Sequence, residues 1–196
     1  MCILLKEKNT IYKCRLKDYT LGLFHIVGPE CQSCIKKGLK HLSYEARISR
    51  FNYPIKEFSS VEIDYLTKLD QVNHFALGAG MCHISKDPGM GIARYIRIAE
   101  DSDIAEIAIT VLDKYQNKGL GTILLSLLMR YAHQNSIGTF CGYADNNNSK
   151  IRHIFEKFNG NVKGTFGNLL YMELDIVSNL QQSESLLKEY AALESV

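Results

Sequence analysis

The stretch Asp113-Lys114-Tyr115-Gln116-Asn117-Lys118-Gly119-Leu120-Gly121 places two glycines among amide and lysine side chains, just before an apolar helical repeat. Where a strand feeds through such a loop into a helix, the first main-chain N–H groups lack intrahelical acceptors and stand at the positive end of the helix dipole. Gly119 and Gly121 carry no Cβ to hold an anion away, so the segment suits a phosphate or pyrophosphate bound by backbone. A plain turn into a helix is the alternative reading of the same residues. Two other phosphate-binding patterns fail: no Gly-x-x-x-x-Gly-Lys-Ser/Thr is present, and Gly119-Leu120-Gly121 lacks the third glycine of a dinucleotide fingerprint. Nucleotide hydrolysis and nicotinamide chemistry are disfavoured.

Other reactive side chains form no comparable pattern. Cys31-Gln32-Ser33-Cys34 has the spacing of a zinc half-site or a redox pair, yet no second Cys/His pair matches it and no thioredoxin-like pattern surrounds it. His25, His41, His74, His83, His133 and His153 are scattered without an i, i+4 couple, so no metal is expected. Lys36, Lys37 and Lys40 form a basic helix edge, read as a solvated face or as a site for an acidic partner.

The elements that must carry the loop follow from composition and period. The chain has 196 residues, 46% hydrophobic and 22% charged, with three prolines, which suits one globular core rather than disorder. A formal charge of +2 is too small to point to nucleic acid or an anionic membrane as partner. No apolar run approaches the roughly 20 residues of a membrane-spanning helix, and residues 1–5 are too short for the core of a secretory signal. A cytoplasmic location is expected, with Cys2, Cys14, Cys31, Cys34, Cys82 and Cys141 reduced. The oligomeric state stays unknown.

Residues 21–27 read as a strand that stops at Gly28-Pro29-Glu30, followed by helices at 31–42, from Ser43 to the break at Phe51-Asn52-Tyr53-Pro54, and at 61–69 after a Ser59 or Ser60 cap. The third is expected to bury Val61, Ile63, Tyr65, Leu66 and Leu69. From His74 the period becomes that of β structure: 74–79, 81–85, 92–98 and 104–112 form an expected antiparallel meander. Leu120, Ile123, Leu124, Leu127, Leu128, Tyr131 and Ala132 then mark the apolar face of an amphipathic helix. A strand at 138–143, a helix at 149–158, strands at 162–166 and 169–176 and a final helix capped by Ser178 or Asn179 complete an α+β pattern. Leu186, Leu187, Tyr190 and Leu193 give that last helix an apolar side that packs home or meets a partner. Residues 1–20 read as an N-terminal extension, 21–176 as the domain and 177–196 as a C-terminal helical extension.

Gln116, Gly119 and Gly121, between a strand and a long amphipathic helix, resemble the Gln/Arg-x-x-Gly-x-Gly/Ala signature of the GNAT superfamily of acyl-CoA-dependent N-acyltransferases. More narrowly, His41-Leu42-Ser43, Arg50-Phe51, residues 66–70, Gly91-Ile92-Ala93-Arg94-Tyr95 and Ala105-Glu106 are similar to the acyltransferase domain of bacterial protein lysine acetyltransferases. The resemblance implies the GNAT fold, α+β with a mixed, mostly antiparallel sheet, flanking helices and a splayed parallel strand pair. It implies acetyl-CoA as cosubstrate, its pyrophosphate on Gln116, Asn117, Lys118, Gly119, Leu120 and Gly121. Its pantetheine would run beside Ile109, Thr110 and Val111 and approach Asn148, which also suits a helix cap.

Acyl transfer needs a neutral amine. At a pKa near 10.4 only about one lysine amine in 2,500 is neutral at pH 7, a deficit of about 4.6 kcal/mol, so a base is required. In the family a glutamate on the strand before the signature takes the proton, and Glu106 matches it. Ala105, Ile107 and Ala108 flank it, so a carboxylate there would be poorly solvated and the better base for it, unless strand alternation turns it to solvent. A tyrosine that protonates the departing thiolate in many members is replaced by Phe155. Tyr143 is the substitute candidate, or a packing residue at a strand end. The expected reaction is acetyl transfer to a primary amine, with protein lysine favoured; a small-amine acetyltransferase and a non-catalytic acyl-CoA sensor are the alternatives.

Overall fold

Where a strand is covered on both faces its residues are apolar in succession, and where one face is wet they alternate. Both patterns occur in the computed structural model, which describes residues 10–51, 55–80 and 88–192. The elements run β1 (Thr10–Arg15), β2 (Leu21–Ile26), a 3-10 turn at Pro29–Cys31, then α1 (Gln32–Lys40), α2 (Tyr44–Phe51) and α3 (Ser60–Thr67). There follow β3 (His74–Gly80), β4 (Gly91–Arg97), β5 (Ile104–Val111), a 3-10 turn at Asp113–Tyr115 and α4 (Leu120–Gln134). β6 (Thr139–Asp145), α5 (Ser149–Lys157), β7 (Asn161–Phe166), β8 (Leu169–Asp175) and α6 (Ile176–Ala192) complete them. The expected strand at 81–85, the break at 52–54, Leu193, Cys2, Cys82 and His83 lie outside the described residues.

The strands form one sheet in the order β1-β2-β3-β4-β5-β6-β8-β7. Every described neighbouring pair is antiparallel except β5–β6, which is parallel. This is the GNAT fold that the signature implied. β1, from the segment read as an extension, pairs with β2 and so belongs to the sheet. Cys14, Cys31, Cys34 and Cys141 are not joined in disulfides, and no helix among the described residues is long and apolar enough to cross a membrane.

Helix α4 carries the core. Its expected stripe is buried apart from the partly exposed Tyr131, but so are Thr122, Leu125, Ser126 and Met129 on the other side. The amphipathic reading is corrected because α6 covers that second face: Ser183 Oγ donates to the Ser126 carbonyl at 3.0 Å, and Arg130 makes a two-point ion pair with Glu184 at 2.7 and 2.8 Å. Tyr12 of β1 donates to the Leu187 carbonyl, and Leu187 and Tyr190 are buried. The last helix therefore packs home. Its start is also corrected, since the Asp175 carboxylate accepts the Ser178 N–H at 2.7 Å in the place of a cap.

On the opposite face of the sheet lie α2 and α3. Ser59 and Glu62 form a reciprocal capping box that starts α3. Its expected apolar stripe is corrected: Val61 and Tyr65 are exposed, and Ile63 and Thr67 are buried. Thr67 stays inside because its hydroxyl donates to the Ile63 carbonyl at 2.7 Å. Tyr65 is thereby left at the rim of the cavity described next.

Candidate active site

The β5–β6 register is short. Ile104 faces Thr139, Ala105 faces Phe140 and Glu106 faces Cys141, and there the pairing stops although β5 continues to Val111 and β6 to Asp145. The parallel strands part immediately beyond Glu106. On the other edge of β5 the ladder to β4 runs unbroken from Ala105 to Val111, so strain from a poor strand does not explain the opening. Ile109, Thr110 and Val111 line the β5 side of this fork and are half-buried.

At the open end stands the signature loop. Asn117 has φ +60° and Gly119 φ +87°, and this left-handed backbone is tolerable for asparagine and easy for glycine. Among the described residues, the N–H groups of Asn117, Lys118, Gly119, Leu120 and Gly121 donate to no acceptor. Uncommitted donors at the head of the buried helix α4 are what a pyrophosphate requires, so the loop fits the acyl-CoA expected there. Gln116 is committed to the protein instead: its Nε2 donates to the Val111 carbonyl at 3.0 Å and to Asp113 Oδ1 at 3.1 Å, and its Oε1 accepts from Lys150. It ties the loop to both β5 and α5. Asp113 in turn accepts the Ser43 N–H at 3.1 Å, joining the loop to the start of α2.

Asn148 caps α5, its Oδ1 accepting from Ile151 N at 3.3 Å. Phe155, at the position where the resemblance implied a phenol, is 2% exposed and part of the core. Tyr143 shares the Glu106 face of the sheet two residues beyond Cys141, exposed and tilted against Tyr171 with ring centroids 5.1 Å apart.

Glu106 lies on a cavity of ≈ 580 Å³ bounded by Arg50, Tyr65, Arg94, Ile96 and Ala108. Cross-strand partners share a face, so Ile96, Glu106, Cys141 and Glu173 form a row over four adjacent strands. The expected crowding of Glu106 by apolar neighbours is corrected in part: Ala105 and Ile107 are buried on the other face of the strand, whereas Ala108 shares the cavity with Glu106, which is exposed. A carboxylate there is open to solvent.

Several residues of this face were not singled out by type or spacing. Arg94 is 5% exposed, its Nη1 3.1 Å from His74 Nε2 and its Nη2 donating to the Leu66 carbonyl at 3.4 Å. Burial, reinforced by Arg94, pulls His74 down to about 4, so its imidazole is neutral at pH 7 and Nε2 accepts. Burial, reinforced by Arg50, pulls Arg94 down to about 10, still cationic. Arg50 is lowered too by burial, against the favourable charge of Glu106. A lone arginine inside the apolar run of β4 was the available signal for Arg94. Tyr171 donates to Glu173 Oε1 at 2.9 Å, and burial pushes the Cys141 thiol up.

A family model described as "Acetyltransferase (GNAT) family" matches residues 50–160. The chain is 27% identical over 120 residues to Acetyltransferase Pat of Mycolicibacterium smegmatis, a match covering 61% of this chain and 35% of that protein. The matched segment is thus about a third of that relative's length. Among solved structures, the GNAT domain of S. lividans PAT superposes with a TM-score of 0.75 at 21% identity, covering 83% of this chain and 95% of that one. Spermidine N-acetyltransferase from Vibrio cholerae, in complex with CoA and spermine, gives 0.65 at 15% identity over 81% and 98% of the two chains.

Proposed function

The chain belongs to the acetyltransferase (GNAT) family, whose acyl donor is acetyl-CoA, and from this we propose that it acetylates a primary amine, a protein lysine side chain being the favoured acceptor, with Glu106 as the general base. The observation that carries the reading is the end of the β5–β6 register at Glu106–Cys141. It sets the carboxylate at the apex of the strand fork, with the uncommitted N–H groups of the 117–121 loop at the open end.

Acetyl-CoA supplies an activated acyl carbon and a thiol leaving group. Main-chain N–H groups from Asn117 to Gly121 hold its pyrophosphate, and the β5 edge at Ile109 to Val111 orients the pantetheine between the strands. Glu106, open to the cavity, takes the proton from the incoming ammonium directly or through water. That supplies the neutral amine that solution provides about once in 2,500 at pH 7. Asn148 fixes the head of α5 beside the fork. Tyr143, exposed on the same face, is the residue assigned to return a proton to the thiolate; with a thiol-like pKa, that leaving group departs without obligatory protonation.

Incubation with labelled acetyl-CoA and a lysate, with separate recovery of labelled proteins and labelled small molecules, tests the acceptor class. Label in protein, removed by Glu106→Gln, is the expected result. Label confined to small molecules would replace lysine by a small amine, and acetyl-CoA binding without acceptor-dependent thiol release would favour an acyl-CoA sensor.

A further inference from the structure

The acceptor cavity holds more positive charge than the proposed reaction needs. Three arginines reach it, Arg50, Arg94 and Arg97, against the carboxylate of Glu106. Arg97 is fully engaged: Nε donates to Asn73 Oδ1 at 2.8 Å, Nη2 to the Asn135 carbonyl at 2.6 Å and Nη1 to the Ser102 carbonyl. Arg94 is anchored from one side by Leu66 and the neutral His74. Arg50 packs its guanidinium 5.0 Å from the centroid of the Phe51 ring and donates no hydrogen bond to any described residue. Neither Arg50 nor Arg94 has a carboxylate at ion-pair distance among the described residues.

A guanidinium without an anion is costly when buried, as in Arg94, and less so when half-buried, as in Arg50, and its planar fork is shaped for a carboxylate. Glu106 is near enough to be felt at Arg50 yet forms no ion pair with it. A base locked onto arginine would be a poor one, so that separation suits catalysis and leaves the arginines needing another anion. Resting on the reading of this cavity as the acceptor site, we propose that Arg50 and Arg94 form a carboxylate-binding subsite, and that the acetylated amine belongs to a molecule carrying a carboxylate beside that amine. An acidic residue next to a target lysine and the α-carboxylate of a free amino acid present the same chemistry. A polycation without an anion would meet net repulsion here.

Two measurements test this on the full chain. In the first, hexanoate, a carboxylate without an amine, is titrated while the arginine side-chain N–H resonances are followed. Saturable shifts are expected, with binding at least tenfold weaker in Arg50→Gln and tighter in Glu106→Gln, which removes the competing negative charge. No saturable binding, or equal binding to Arg50→Gln, overturns the proposal whatever the role of Glu106; loss of the acetyl-CoA-induced rise in Tm would expose a misfolded variant, and Arg50→Lys then takes its place. In the second, kcat/KM is compared for two lysine peptides differing only in Asp or Asn beside the lysine, and for free lysine against its decarboxylated diamine. A tenfold preference within the peptide pair assigns the source to protein, and within the small-molecule pair to an amino acid. Hexanoate binding with no transfer to any acceptor would instead count against the proposed activity and leave the carboxylate subsite standing.

Discussion

The hydroxyl end of Tyr190, from α6, occupies the space that a side chain at Gly119 would need: a Cβ there would stand 2.7 Å from Cζ of the ring and overlap the hydroxyl oxygen. Beside the ligand role proposed for it, Gly119 is thus required by the C-terminal helix beneath it.

Gly119→Ala is therefore expected to destabilise the fold. The left-handed φ of +87° costs a residue with Cβ about 1–2 kcal/mol, and overlap with the buried ring raises the total to about 2–4 kcal/mol. In a Tyr190→Leu background the same substitution should cost at least about 1 kcal/mol less. Urea denaturation of the four proteins measures this, and strictly additive costs would separate the two residues.

Because Gly119 is also structural, a cleaner probe of the proposed pyrophosphate loop is Asn117→Asp, at an exposed position already in left-handed backbone. Acetyl-CoA at a hundred times its Kd should stabilise the parent by about 2.7 kcal/mol. The added negative charge should weaken binding tenfold or more while the ligand-free Tm stays close to the parent's. A ligand-induced shift equal to the parent's would remove the loop from the binding site.

For Glu106→Gln we expect kcat lower by about 10²–10⁴, the usual contribution of a general base, with acetyl-CoA affinity nearly unchanged. The residual rate should climb tenfold per pH unit, as for an amine deprotonated by solvent alone. Parental turnover at neutral pH would shift the proton to a water chain or to Tyr143.

His74 makes stability depend on acid. Its native imidazole sits at about 4, lowered by burial and then by Arg94, against 6.5 in the unfolded chain. Between these values the unfolded state binds a proton that the native state does not, so stability rises with pH through the window. The contribution is complete above about pH 6.5 and erodes as pH falls toward 4. The urea midpoint of the parent should drop more steeply from pH 7 to 5.5 than that of His74→Gln, whose amide oxygen can still accept from Arg94. Equal slopes would mean that the imidazole is protonated in the native state.

Residue types and spacing alone determined the chemistry-bearing loop, the strand before it and the helix after it, because each rests on local geometry: glycine where φ is positive, N–H groups orphaned at a helix start, apolar residues recurring every three or four positions. Asn117 in left-handed backbone and Asn148 as a helix cap follow from the same local rules. Tertiary structure alone decided that α4 is covered on both faces, since an amphipathic period is silent about a helix arriving fifty residues later. It likewise decided that β5 and β6 pair for three residues and then part, that Glu106 lies on the exposed face of its strand, away from Ala105 and Ile107, and that Arg50 on α2 and Arg94 on β4 line one cavity with it. Pairing length, strand face and charge proximity depend on the path of distant segments. No spacing within the 104–121 stretch encodes the two arginines that give the cavity its charge.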